Sequence, residues 1–328
     1  MSKISLELGS GGKLMRDFIN EEILQNFRNP YLEELADAAL LPFNIALTTD
    51  SYTVEPLFFP GGDIGTLCVN GTVNDLIVAG AEPRFLALSL IIEEGLEKET
   101  LTKIFHSIKN AAQQAHVLIT TGDTKVVRQG QADKIFITTS GVGEIIAHPS
   151  PPQIKPGDKI IVTGTLGEHS LAVMVAREEF GFEAEIKSDC APLNFLLPLW
   201  QEGVLWMRDV TRGGLASVLI ELADRLPYSI TIEEETIPLS PPVRGACEFL
   251  GIDPLYLACE GRAVIVVKAT AQNQVLQKIK AHPQGKTAAI IGEVATSPGK
   301  AGELLLKTIS GGWRRLEPLT SELLPRIC

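Results

Sequence analysis

Cys328 brings the most reactive side chain of the chain to its far end, carried on Pro325-Arg326-Ile327. A thiolate is a strong nucleophile near neutral pH. Arg326 favours the thiolate and the neighbouring α-carboxylate opposes it, so the position speaks to reach rather than to acidity. From Gly312 an extended arm would span roughly 50 Å at about 3.3–3.6 Å per residue, enough for one thiol to visit more than one site. A prenylation signal is excluded, because it needs the cysteine four residues from the end. The second group is acidic: Asp50, Asp75 and Asp123. Carboxylates brought together repel unless cations lie between them, and hard oxygen ligands suit Mg²⁺ bridging nucleotide phosphates. Each aspartate taken alone reads better as a cap or a loop residue. The set, taken with Gly9-Ser10-Gly11-Gly12-Lys13, points to ATP with Mg²⁺. Lys125 stands two residues past Asp123, placed to meet phosphate or a developing anion. Glu260 follows the apolar run Leu255–Cys259, as a base with a raised pKa or as the partner of Arg262.

The elements that must position these residues follow from periodicity. After the glycine-rich loop, Ile19, Ile23, Leu24 and Phe27 mark an amphipathic helix. Backbone N–H groups of such a loop can meet phosphate. It is not a Walker A loop, since Glu7 and Leu14 occupy positions that need Gly and Ser or Thr. Ile45–Thr49 predicts a buried strand that delivers Asp50 at its end. Asp63 caps a helix from Ile64 to about Ala79 that is apolar nearly all round and therefore buried. Asn74 and Asp75 lie inside it, where polar side chains are costly unless they face a cavity, ligand or metal. A strand over Leu86–Ile92, a helix from Leu101 to Ala115, a strand Val117–Thr121 ending in Gly122-Asp123-Thr124-Lys125, and a strand Ile135–Ser140 complete the first half. Pro149-Ser150-Pro151-Pro152 reads as a linker. The second half restarts with strand Lys159–Thr163, the loop Gly164–Gly167 and a helix to about Phe180. Arg208–Gly214 introduces a helix to Leu226. Strands at Ile230–Glu233, Ala263–Val267, Ala288–Val294 and Leu304–Lys307 alternate with helices near Val243–Leu250 and Gln272–Ala281. The class is α+β, mixed α/β, in two domains (1–150 and 151–312) with a mobile tail over 313–328.

Composition narrows the function. At 328 residues with 45% hydrophobic content, two filled cores are expected. A net charge of −11 argues against a nucleic-acid partner. The apolar runs are broken by Asp37, Pro42, Asp63 and Asp75, so no membrane span is expected, and Met1–Gly12 lacks the apolar core of a signal peptide. Cys68, Cys190, Cys247, Cys259 and Cys328 are unpaired in spacing, which fits a reducing, cytoplasmic setting and gives no zinc motif.

The motifs Gly9–Lys13, Thr48-Thr49-Asp50-Ser51, Phe59-Pro60-Gly61-Gly62-Asp63-Ile64-Gly65, Asn74-Asp75, Gly122-Asp123-Thr124-Lys125-Val126 and Asp209-Val210-Thr211-Arg212-Gly213-Gly214 together resemble the aminoimidazole-ribonucleotide-synthetase-like (PurM-like) superfamily of ATP-using enzymes. Within it, the terminal Pro325-Arg326-Ile327-Cys328 is similar to that of the HypE family of nickel–iron hydrogenase maturation proteins. The resemblance implies a homodimer that pairs its N-terminal sheets, with a C-terminal α/β sandwich in each copy. It implies an ATP site at Gly11, Gly12, Lys13, Asp50, Asn74, Asp75, Asp123 and Asp209, with Mg²⁺ on Asp50, Asp75 and Asp123. It further implies that a carbamoyltransferase, HypF, loads a carbamoyl group onto Cys328. ATP-driven dehydration, helped by Lys125 and Glu260, would then leave an S-cyanide for iron held by a HypC–HypD complex. Other superfamily activities, of selenophosphate synthetase or thiamine-monophosphate kinase type, and a non-enzymatic metal chaperone are the alternatives. Ser2–Lys13 lacks the reactive cysteine of the first, and the cysteines lack the pairing of a chaperone.

Overall fold

The computed structural model describes residues 4, 6–9, 12–177, 185–319 and 326–328. The chain enters as α1 (Lys13–Phe18), which runs through a π-helical turn into α2 (Leu24–Phe27). Then come β1 (Ala39–Leu41), β2 (Ile45–Tyr52), the short pair β3 (Phe58–Phe59) and β4 (Gly62–Asp63), and α3 (Ile64–Val78). β5 (Ala81–Glu93), α4 (Lys98–Gln114), β6 (Leu118–Val127) and β7 (Ile135–Ile145) follow. They form a sheet in the order β1-β2-β7-β5-β6, with only β5 and β6 parallel, because α4 crosses over between them.

The second half contains β8 (Lys159–Val162), α5 (Glu168–Ala176), β9 (Val204–Asp209), α6 (Gly214–Ala223), β10 (Ser229–Glu233), α7 (Pro241–Leu250), β11 (Ala263–Val267), α8 (Gln272–Ala281), β12 (Ala289–Ala295), β13 (Leu304–Lys307) and β14 (Trp313–Arg315). Its sheet has the order β14-β13-β10-β12-β8-β11-β9. The two halves share one core: Val69 and Ile77 of α3 lie in the same apolar cluster as Leu193, Leu196, Met207 and Ile265. Trp200 Nε1 donates to the Ile77 carbonyl at 3.0 Å.

Several boundaries differ from expectation for physical reasons. β6 runs on to Val127, so Gly122–Lys125 is mid-strand rather than a loop at its end. β5 starts at Ala81, because Pro83 falls where the register with β7 shifts and its missing N–H is tolerated. The apolar Val204–Met207 forms β9, a strand that periodicity alone did not mark. Trp313, expected to open the tail, opens β14, which pairs with β13. α5 ends at Ala176, and the expected continuation over 178–180 lies outside the described residues.

Candidate active site

Helix α3 is the spine of the site. Asp63 caps it by accepting from Thr66 N–H at 2.8 Å, and Ser107 bonds the other carboxylate oxygen. Thirteen of its fifteen residues are buried, so it lies between the N-terminal sheet and the second half. Asn74 fixes that placement: its amide donates to the Ala191 and Glu260 carbonyls at 3.1 and 3.2 Å, and its oxygen accepts from Leu193 N–H at 2.9 Å. This corrects the expectation that Asn74 binds nucleotide. Both amide protons are committed to backbone, and the residue positions Glu260 instead.

Asp75 faces β2, where Thr48 Oγ1 lies 2.8 Å from its carboxylate. Asp50 approaches from the same strand, and Tyr52 Oη donates to it at 3.3 Å. Asp37 and Asp209 close the group: one oxygen each of Asp37, Asp75 and Asp209 lie within 4.8 Å of one another. Burial pushes the Asp75 carboxyl well above the ordinary range, and the charges of Asp50, Asp209 and Asp37 push further. Burial does the same to Asp209, with Asp37 second. Arg208 bonds Asp37 at 2.9 Å and Glu221 at 2.9 Å. One guanidinium shared in this way leaves the carboxylates in excess, and an oxygen-rich donor set of that kind fits a divalent cation. In the sequence Asp37 reads only as a break in an apolar run and not as a ligand, although a lone charge between Ala36 and Ala38 carries the same signal that marks Asp75.

Beside the acidic group, a cavity of about 470 Å³ is lined by Gly12, Arg16, Arg208, Arg212 and Arg225 together with Glu221 and Asp224, which pair with Arg208 and Arg16. Four arginines around one cavity suit a polyanion such as a nucleotide phosphate chain. Gly12 is required by close approach, since a Cβ there would lie 2.5 Å from the Leu319 carbonyl oxygen. That carbonyl accepts from Lys13 N–H at 3.0 Å, and Arg212 donates to the Gly9 carbonyl at 3.3 Å. Gly11 lies outside the described residues.

Glu260 is only 4% exposed. Burial, then the charges of Asp209, Asp189 and Asp50, raise its pKa well above the glutamate range, and Arg212 opposes them. It is not the partner of Arg262, whose guanidinium lies 3.6 Å from Asp189 and donates to the Thr165 carbonyl at 2.9 Å. Cys328 is seated near this group. Its main-chain carboxylate oxygen accepts from Thr53 N–H at 3.0 Å, and Cys328 is the first cause raising the Arg212 pKa, ahead of Asp50 and Glu260.

Two expected members do not join. Asp123 and Lys125 pair with each other at 2.9 Å, with side chains 60% and 68% exposed. Asp50 pairs with Thr139, Thr139 with Leu88 and Leu88 with Gly122, so three strand spacings, roughly 14 Å, separate Asp50 from the neighbourhood of Asp123. By strand alternation Asp123 also points to the opposite face. Within one chain the expected Asp50–Asp75–Asp123 set becomes Asp37, Asp50, Asp75 and Asp209.

Among the described residues no helix is long and apolar enough to cross a membrane. Residues 35–145 match the N-terminal domain model of AIR synthase related proteins, and residues 155–304 match the C-terminal one. The chain is 43% identical over 340 residues to carbamoyl dehydratase HypE of Escherichia coli (strain K12), covering 100% of both. It superposes on the HypE–HypF complex structure with a TM-score of 0.87 and 47% identity, over 92% of this chain and 99% of that one. A HypE structure in complex with ATP gives a TM-score of 0.81 and 43% identity, over 99% of this chain and 100% of that one. With both domain models matched in order and the identity sustained from end to end, the PurM-like two-domain fold is shown, and this chain belongs to the HypE family of AIR-synthase-related proteins.

Proposed function

We infer that the chain is an ATP-dependent carbamoyl dehydratase that converts a carbamoyl group on the Cys328 sulfur into an S-cyanide. The observation that carries this is the seat of the tail: Cys328 packs against the shared core with its main-chain oxygen bonded to Thr53, and it raises the Arg212 pKa, as Asp50 and Glu260 also do. A thiol whose electrostatic neighbourhood includes a guanidinium and a buried carboxylate has the groups that the reaction needs. The carbonyl oxygen of the thiocarbamate attacks the γ-phosphorus of ATP, and ADP leaves as one nitrogen proton is lost. The C–O bond then breaks with the second nitrogen proton, releasing phosphate and leaving the carbon–nitrogen triple bond. The oxygen thus departs on phosphate, and no oxidant or reductant is required.

Glu260, with its raised pKa, is suited to take a nitrogen proton near neutral pH. Arg212 and the arginines of the neighbouring cavity hold phosphate charge. Asp37, Asp75 and Asp209, with Asp50 beside Asp75, would hold Mg²⁺, which would supply charge neutralisation on the phosphates. Asp123 and Lys125 enter through a second copy. The face of the N-terminal sheet that carries them also exposes Leu47, Phe85, Ile91 and Leu118 at 42, 46, 41 and 64%. A homodimer that pairs these faces covers that apolar surface and carries Asp123 and Lys125 toward the partner's cleft. The same reading takes a HypF carbamoyltransferase as the source of the carbamoyl group, a HypC–HypD iron complex as the acceptor of cyanide, and the cytoplasm as the setting. Relatives support part of it, in a HypE–HypF complex and an ATP complex.

The test is the mass of the C-terminal peptide after the carbamoylated chain meets ATP and Mg²⁺. Conversion to a species one water lighter, with ADP formed in step, is the expected result. ATP hydrolysis with the carbamoyl mass unchanged would contradict the inference.

A further inference from the structure

Glu260 belongs to the stretch Cys259–Arg262, which lies in neither a helix nor a strand, just ahead of β11. Its N–H and carbonyl therefore have no regular partner and must find one elsewhere. Asp189 supplies the first. One of its carboxylate oxygens accepts from Glu260 N–H at 3.2 Å, and the other from Gly261 N–H at 3.3 Å. The Glu260 carbonyl accepts from the Asn74 amide at 3.2 Å and from Ala191 N–H at 3.4 Å. The two segments approach so closely that a Cβ on Gly261 would stand 1.9 Å from the Asp189 carbonyl oxygen.

Asp189 is itself held. Its side chain is 1% exposed, and the Arg262 guanidinium lies 3.6 Å from one oxygen, which balances a charge that burial would otherwise penalise. Arg262 also donates to the Gly261 carbonyl at 3.0 Å, so the cation that balances Asp189 braces the same turn. The Glu260 carboxylate is left alone by contrast. Among the described residues no hydrogen bond ties it, and only burial and neighbouring charges act on it. A main chain clamped on both sides with a free carboxylate is what a proton acceptor needs, because a hydrogen bond to the carboxylate would weaken the base.

We propose that Asp189 is a positioning residue for the dehydration: it pins Glu260 and Gly261 by their N–H groups while Asn74 holds the Glu260 carbonyl, and so presents the Glu260 carboxylate to the cleft in one orientation. This deepens the dehydratase reading, on which the work of Glu260 rests. Asp189 acts only through Glu260. A carboxylate is required at 189, because two N–H groups need two acceptor oxygens. Asparagine keeps the shape but offers one oxygen and turns an N–H group toward an N–H group.

The experiment has two readouts. In single turnovers of the carbamoylated full-length chain, Asp189→Asn should slow dehydration about tenfold and Asp189→Ala about ten- to a hundredfold. The ATP concentration for half the maximal rate should not move, since Asp189 does not line the arginine cavity. In a Glu260→Gln background either substitution should cost less than about a further twofold, whereas a general loss of structure would multiply the two defects. The second readout is hydrogen exchange of the Glu260 and Gly261 amides, followed by NMR on the full-length chain without ATP or a carbamoyl group. Exchange should be at least about tenfold faster in Asp189→Ala than in the parent, with Asp189→Asn between them and Ile265, in the middle of β11, unchanged. Parental exchange at both amides, or a full additional loss of rate in the Glu260→Gln background, would overturn the proposal. Should Asp189→Ala fail to fold, with Ile265 exchanging fast as well, Asp189→Asn carries both readouts. A carbamoylated parent that does not dehydrate would count against the dehydratase reading alone, and exchange at 260 and 261 would still decide whether Asp189 holds the turn.

Discussion

The cleft around α3 and the open face of the N-terminal sheet each carry residues with chemistry to do, and they are built in opposite ways. In the cleft, Asp37, Asp75 and Asp209 come from three separate elements to within 4.8 Å, held by the packing of a helix that is buried on every side. On the sheet, Asp123 and Lys125 stand on an edge strand that is exposed along nearly its whole length, among exposed leucine, isoleucine and phenylalanine. One chain can crowd carboxylates only where a core holds them together against their repulsion. A lysine and an aspartate in solvent need no such support, because water solvates both charges. On the proposed reading, the cleft draws Asp37, Asp50, Asp75 and Asp209 from one chain, while Asp123 and Lys125 are offered to a second copy.

The largest effect is expected in the cleft. Glu260→Gln keeps the shape and removes the base, and should slow dehydration of the carbamoylated chain by about 10²–10⁴-fold in a single-turnover assay. The parent's rate should rise with pH through a range above that of an ordinary glutamate, because the base works ionised and its pKa is raised. The sign for stability is the reverse. A raised carboxyl pKa gives stability that is present at low pH and lost as pH rises through the folded value, so Glu260→Gln should melt higher than the parent at neutral pH. A variant that melts lower at neutral pH while losing no activity would erase the cleft side of the comparison.

Next comes the sheet face. Phe85→Asp places a charge in the centre of the apolar surface without touching the cleft, since Phe85 is 46% exposed. It should shift the chain toward monomer in sedimentation and slow dehydration with it. An unchanged mass by sedimentation would mean that this face does not pair. The smallest effect is on stability: Lys125→Ala removes one exposed ion pair and should leave the melting midpoint of the chain where it was.

How much of this was legible in the sequence follows the same division. α3 and its interior Asp75 stood out because a carboxylate in an all-apolar helix violates the burial rule, and Glu260 stood out after its apolar run. The glycine loop and the tail were marked by composition. Asp123 was legible as chemistry but not as geometry: periodicity ended its strand at Thr121, whereas the ladder with β5 continues to Val127. Asn74 was misread because sequence shows polarity and not the three backbone partners that satisfy it. Asp133, His169 and Arg177 carried no local signal, since their contacts with Glu55 and the last three residues exist only once residues more than a hundred positions apart have met.

The claim that the site is shared between two copies is tested most directly by mixing two dead chains. Asp75→Asn spoils the cleft, and Lys125→Ala spoils the strand offered to a partner. If a cleft uses its own Asp75 and the other copy's Lys125, each mixed dimer has one intact and one doubly damaged site. Random re-pairing makes half the dimers mixed, so dehydration should return to about a quarter of the parental rate. Activity that stays at the level of the separate variants after verified subunit exchange would contradict the account and return Lys125 to its own chain.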